Sequence, residues 1–83
     1  MDVLKDLENF IINELTAGLG ITSLMPDEDL LEQGIIDSMR LMKLITFIEE
    51  TYGISVTDEE IVPENFQRLN SIVALVQKKL LKK

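Results

Sequence analysis

The sequence contains no cysteine, no histidine and no tryptophan. Without cysteine there is no disulfide, zinc–thiolate site, iron–sulfur cluster or thiol nucleophile. Without histidine the commonest general base and transition-metal ligand are missing, and a Ser–His–Asp triad cannot be built. Three phenylalanines and one tyrosine are too few for a base-stacking platform. No run approaches the roughly 18 consecutive apolar residues of a membrane span. No basic segment followed by an apolar run opens the chain, so no secretory leader is expected and a cytoplasmic location is. What is present is 83 residues, 46% of them apolar, which is enough for one domain over 1–83 with a thin core. These absences argue against an autonomous enzyme and for a module on which other proteins act.

Charge is unevenly spread. Eight basic residues against fifteen acidic ones give a net −7, a poor surface for nucleic acid, whose phosphates need clustered cations. Residues 1–36 hold eight acids against Lys5 alone. Residues 65–83 hold no acid and five cations, Arg68, Lys78, Lys79, Lys82 and Lys83. Lysines at that end complement the negative end of a last helix.

Apolar spacing predicts helices. The first runs from Val3 to Thr16 behind Asp2 as N-cap, buries Leu4, Leu7, Phe10/Ile11 and Leu15, and ends at Gly18 and Gly20. Residues 17–36 form a long loop, which in so small a domain is either functional or anchored by its own apolar side chains. Leu30 and Leu31 suit one inward turn there, and Gly34 breaks it. The second helix runs from Ser38 to Tyr52, capped by Asp37 and stopped by Gly53, with Leu41, Leu44, Ile45, Ile48 and Tyr52 inward. Phe47 lies one face over and suits packing between helices. Thr57 and Glu60 form a capping box for a short helix that Pro63 ends near Val62. A further turn over 64–68 turns Phe66 and Leu69 inward. Asn70 is the expected N-cap of the last helix, Ser71 to Leu81, with Ile72, Val73, Val76 and Leu80 inward and Leu75 beside them. The fold class is all-α, a four-helix bundle with three long helices, a short third helix and a long first loop.

The stretch that bears chemistry is Gly34-Ile35-Ile36-Asp37-Ser38-Met39. It sets a small exposed hydroxyl on the first turn of an amphipathic helix, after a mobile loop. The unpaired N–H groups and positive dipole end there favour an anion such as a phosphate ester on Ser38. Asp37 offers an oxygen to Mg²⁺, the hard cation that accompanies phosphates. A bare Asp-Ser pair also reads as nothing more than a helix cap. The Asp27-Glu28-Asp29 cluster lacks the alternating ligands, central Gly and twelfth-position Glu of an EF-hand, and reads as a solvated loop. Ser38 as a catalytic nucleophile has no histidine and no placed lysine to activate it. A helical protein-interaction adaptor without modification accounts for the acidity and the methionine-bearing helix, but not for the serine at the helix start within an ordered pattern.

That pattern resembles the attachment site of the acyl and peptidyl carrier protein family: Leu, three residues, Gly, two or three residues, then Asp-Ser-(Leu/Met). Here it is Leu31-Glu32-Gln33-Gly34-Ile35-Ile36-Asp37-Ser38-Met39. The resemblance continues through Leu41, Leu44, Ile45 and Ile48, through Tyr52-Gly53-Ile54, through the short acidic helix between Val56 and Ile61, and from Pro63-Glu64-Asn65-Phe66 to Leu69-Asn70-Ser71-Ile72.

The resemblance implies that Ser38 is esterified with 4′-phosphopantetheine by a phosphopantetheinyl transferase using coenzyme A and Mg²⁺, with Asp37 helping to hold the metal. The arm's terminal thiol then carries aminoacyl or acyl groups as thioesters. It implies a non-catalytic monomer whose partners are the transferase, an adenylating or acyl-loading enzyme and downstream tailoring or condensing enzymes, with neither nucleic acid nor membrane among them. The helix after Ser38 would be the docking face, through Met39, Arg40, Met42, Lys43 and Thr46, with Ile61 of the third helix as a secondary contact. Flexible thioethers suit a surface that meets several partners, although Met39 and Met42 read equally as the rim of the core. Arg40 and Lys43 stand where carriers of primary fatty acid synthesis usually show acids, which weakens the match to basic partner patches. The sequence looks closer to free-standing aminoacyl or peptidyl carriers of non-ribosomal peptide or other secondary metabolite biosynthesis. Fatty acyl or polyketide carriers are the alternative. D-alanyl carriers, which share runs like Leu-Leu-Asp-Ser-Met, rank behind because their Asp-rich, Trp-containing segment before the last helix is missing.

Overall fold

The computed structural model describes residues 2–82. Its first helix, α1 (Val3–Phe10), starts where the sequence supplies a cap: extended Asp2 accepts the Lys5 N–H at 3.1 Å. The helix continues without a break into a π-helical turn, Ile11–Leu15, closed by the Thr16 N–H on the Ile11 carbonyl at 3.0 Å. The buried stripe is Val3, Leu7, Ile11 and Leu15, four residues apart at every step; Leu4 and Phe10 are only half-buried. Four-residue steps drift around an α-helix of 3.6 residues per turn. A wider turn rotates each residue by less, so the π turn cancels part of that drift and returns Leu15 to the core. It also buries Thr16, whose hydroxyl is satisfied on the Ile12 carbonyl at 3.0 Å.

Helix α2 (Ser38–Tyr52) has the predicted bounds, with Asp37 as N-cap and Gly53 in the left-handed region at φ 66°. Leu44, Ile45, Ile48 and Tyr52 are buried, and Leu41 half-buried. Phe47 fills the seam between helices, stacked on Phe10 with ring centroids 4.2 Å apart. The expected short helix after Thr57 is a single 3-10 turn, Asp58–Glu60, with both hydrogen bonds of the capping box. Pro63 does more than end it: it is the first residue of the next short helix, α3 (Pro63–Phe66), a position that needs no N–H donor. Helix α4 (Leu69–Leu81) then packs against α1, α2 and α3.

Helix α4 departs from expectation at its start. It begins at Leu69 with Arg68 as the flanking residue, so Asn70 is inside the helix and is not its cap. The reason is that the first loop supplies the acceptors. The Asn70 N–H bonds to the Pro26 carbonyl at 3.1 Å, and its side-chain amide to Asp27 Oδ1 at 2.7 Å. The loop is thus part of the core architecture. Leu24, Leu30, Ile35 and Ile36 are all buried, each worth roughly 2 kcal/mol when removed from water. Glu8 Oε2 accepts the Leu24 N–H at 3.0 Å, which satisfies backbone that would otherwise be stranded beside the core. No strand occurs among the described residues, and no helix among them is long and apolar enough to cross a membrane. The protein is the all-α bundle expected, and the further turn expected over 64–68 is α3.

Candidate functional site

Ser38 is the first residue of α2 and is exposed. Three devices fix it there. Asp37 Oδ1 accepts the Arg40 N–H at 2.8 Å, and the Asp37 carbonyl accepts the Leu41 N–H at 2.8 Å, which starts the helix at Ser38. The N–H groups of Ile35 and Ile36 both converge on the Leu30 carbonyl, at 3.0 and 3.1 Å, while their side chains enter the core. Gly34 turns the chain at φ 75°. An added Cβ at Gly34 would meet nothing within 4 Å, so the left-handed backbone, not space, calls for glycine. The sequence pointed to a mobile loop before the serine; in the structure the residues just before Asp37 are held by backbone hydrogen bonds and burial.

Helix geometry leaves the N–H groups of Ser38 and Met39 without acceptors inside the helix, at its electropositive end. Arg40 turns back over this end, with Nη1 3.4 Å from the Gly34 carbonyl and 3.4 Å from Asp37 Oδ2. An exposed primary hydroxyl, free backbone donors and a nearby guanidinium fit a phosphodiester on Ser38. Asp37 fits a metal less simply: one oxygen caps the helix and the other faces Arg40, so a cation would compete with the guanidinium for Oδ2.

The other expected contact residues sort clearly. Met39 and Met42 are 74% and 57% exposed, which removes the reading of them as core rim. Lys43 and Thr46 are exposed, and the Thr46 hydroxyl donates to the Met42 carbonyl at 3.0 Å. Arg40 is half-buried and already engaged, so it is less available than an outward-pointing cation. Met42, Lys43 and Thr46 line an open groove with Phe10 and Glu14 of the first helical segment. Ile61 follows the 3-10 turn, half-buried against the core, and is not among the residues lining that groove. Glu14, on the far wall, was missed: its place depends on the π turn, which apolar spacing does not reveal.

The acidic cluster of the loop has local duties. Asp29 Oδ1 accepts the Leu31 and Glu32 N–H groups at 3.1 and 2.9 Å, capping the turn over 30–34. Asp27 binds Asn70, and the Arg68 Nε–H donates to the Asp27 carbonyl at 3.1 Å. At the opposite end of the chain, Lys79 reaches Glu60 at 2.7 Å. The Lys79 hydrogen bond first, then that of the Thr57 backbone, hold the Glu60 carboxyl down at about 2.

Residues 9–77 match the family model described as phosphopantetheine attachment site. A D-alanyl carrier protein of Lactococcus lactis subsp. cremoris is 43% identical over 53 residues, covering 64% of this chain and 67% of the relative. A Serratia protein named "Probable acyl carrier protein PigG" is 33% identical over 78 residues, covering 87% of this chain and 86% of the relative. A chain from a structure titled "Crystal structure of FAD-dependent dehydrogenase" superposes with a TM-score of 0.77 at 34% identity, covering 84% of this chain and 97% of that one.

Proposed function

The chain belongs to the phosphopantetheine-attachment carrier family, and from that premise we propose that Ser38 holds the arm of a free-standing aminoacyl or acyl carrier. Members of the family are non-catalytic and bear 4′-phosphopantetheine covalently, and they meet modifying and acyl-loading enzymes. When bound, the arm supplies a terminal thiol, the nucleophile that this cysteine-free chain lacks, for thioester chemistry. The observation that carries the assignment to Ser38 is its position: an exposed hydroxyl on the first turn of α2, inside the matched segment.

The protein's own residues do the presenting. Asp37 and the Leu30 carbonyl hold the serine at the helix start, and free N–H groups with Arg40 stabilise negative charge beside it. Asp37 Oδ2 is the oxygen free to turn from Arg40 toward Mg²⁺ during modification by a phosphopantetheinyl transferase. Met39, Met42, Lys43 and Thr46 form the docking face, with Ile61 as a secondary contact. No acid occurs from Ser38 to Ile48, in a chain of net −7. A partner with an apolar pocket rimmed by carboxylates therefore suits this face better than a basic one.

The chain acts as a single carrier domain of a secondary or non-ribosomal pathway, in the cytoplasm with its coenzyme A supply. The structure titled for an FAD-dependent dehydrogenase contributes a chain that is itself carrier-sized. That favours a flavin dehydrogenase as one class of downstream tailoring partner. A second reading, D-alanyl carrier, is favoured by the 43% identity to the Lactococcus protein.

Intact mass spectrometry tests the attachment site. The apo protein, incubated with a broad-specificity transferase, coenzyme A and Mg²⁺, should gain one arm, and Ser38→Ala should gain none. No adduct, or an adduct that survives Ser38→Ala, would return the protein to the unmodified-adaptor reading. Loading of the holo protein by adenylating enzymes for different amino acids then separates the subclasses. Loading by a D-alanine-activating enzyme alone would select the second reading, and loading by malonyl or fatty acyl transferases alone would remove both.

A further inference from the structure

Two parts of the chain far apart in sequence are stitched together at the loop that leads to Ser38. Residues 26–30 of the first loop meet residues 67–70, the junction of α3 and α4, through four hydrogen bonds. The Leu30 N–H donates to the Gln67 carbonyl at 2.6 Å, the Asn70 N–H to the Pro26 carbonyl at 3.1 Å, and the Arg68 Nε–H to the Asp27 carbonyl at 3.1 Å. The Asn70 side-chain amide donates to Asp27 Oδ1 at 2.7 Å. Leu30 is also the residue whose carbonyl receives both Ile35 and Ile36. The peptide groups on either side of Leu30 therefore link the α3–α4 junction to the two residues before Asp37-Ser38.

This linkage has a direction. Leu30, Ile35 and Ile36 are buried and packed, so a displacement at Leu30 is passed on to the backbone ahead of the serine and is not absorbed by solvent-facing side chains. Asn70 and Asp27 are exposed, and no apolar contact explains their pairing. At the second position of α4, past the cap position held by Arg68, the Asn70 side chain has no capping duty either.

We propose that Asn70, through its hydrogen bond to Asp27, is a positioning residue for modification of Ser38: it holds the loop in the register that presents the serine to the transferase. The proposal rests on Ser38 being the attachment point. Loss of the Asn70–Asp27 bond removes about the strength of one charge-assisted hydrogen bond, on the order of a five- to tenfold rise in the equilibrium constant for displacing the loop from the presenting conformation. The reacting hydroxyl and its helix end are untouched, so the effect falls on encounter and not on the chemical step.

The test measures steady-state modification by a transferase with coenzyme A and Mg²⁺, following the mass gain. Asn70→Ala should raise KM for the carrier, by up to about fivefold, and leave kcat within error. Hydrogen exchange at the Ile35 and Ile36 amides should quicken by a similar factor while that of Leu44 and Ile48 stays the same. The exchanged pair, Asp27→Asn with Asn70→Asp, restores a donor and an acceptor in reversed order and should recover the wild-type KM. An unchanged KM in Asn70→Ala, or a raised KM that the exchanged pair fails to recover, would overturn the proposal. Absence of any adduct on the wild-type protein would instead remove the assignment of Ser38, and this proposal with it.

Discussion

The Tyr52 hydroxyl donates to Asp6 Oδ2 at 3.0 Å, joining the end of α2 to the start of α1 across 46 residues of sequence. Burial foremost, then the Asp6 hydrogen bond and charge, push the phenol well above its ordinary value. Below its unfolded value of about 10 the phenol is protonated in both states, and its contribution is fully present. Above that, the unfolded chain releases the proton first, so the contribution is lost as pH rises. Tyr52→Phe should cost about 1 kcal/mol at neutral pH and give a shallower alkaline decline in urea-unfolding stability. Identical alkaline slopes in the two proteins would remove Tyr52 as the cause.

Asp37 caps α2, and the proposed part it plays in modification of Ser38 can be separated from that. Asp37→Ala removes the cap and should cost about 1 kcal/mol. Asp37→Asn keeps an oxygen for the Arg40 N–H and should melt close to wild type, yet be modified at Ser38 more slowly because the carboxylate is gone. A modification rate equal to wild type in Asp37→Asn, with matched Mg²⁺, would leave the residue with its capping role only.

The stack of Phe10 on Phe47 ties the two long helices along their outer seam. Phe47→Ala should destabilise by about 2 kcal/mol, less than a fully buried phenylalanine, because both rings are half-exposed. Removing both rings should cost less than the two single losses together, by about 1 kcal/mol. Strict additivity in denaturant melts would mean that the rings contribute only through separate burial.

The Glu60–Lys79 pair ties the 3-10 turn to α4. With Glu60 held at about 2, its contribution is present above its ordinary value and lost as pH falls from there through about 2. Glu60→Gln should therefore flatten part of the acid limb of a stability–pH profile while leaving the alkaline limb unchanged. An acid limb as steep as that of the wild type would assign it to other carboxylates.

Much of the bundle was legible because its signals are local. Asp37, Gly53 and the Thr57–Glu60 capping box each act within one helical turn, and the structure keeps them where spacing put them. The readings that moved depend on distant partners. Asn70 has the chemistry of an N-cap, but Pro26 and Asp27, more than 40 residues away, had already met the need. Val3 takes the buried place expected of Leu4, and the π turn at Ile11–Leu15 keeps Leu15 on the same stripe, a turn that single-period counting does not contain. The candidate site divides in the same way. The exposure of Ser38 and the cap at Asp37 follow from adjacent residues, whereas the engagement of Arg40 with Gly34 depends on how the loop arrives.

Between the π turn and α2 the chain has no long helix, yet four of the eighteen buried apolar side chains among the described residues come from that stretch: Leu24, Leu30, Ile35 and Ile36. A protease that samples such a segment must extract core side chains before it can cut. Cleavage between Leu30 and Ile36 would therefore report on opening of the core, whereas the exposed residues 17–20 can be cut without it. What looks like a tether for the serine is, over its second half, closed to proteolysis by its own buried side chains.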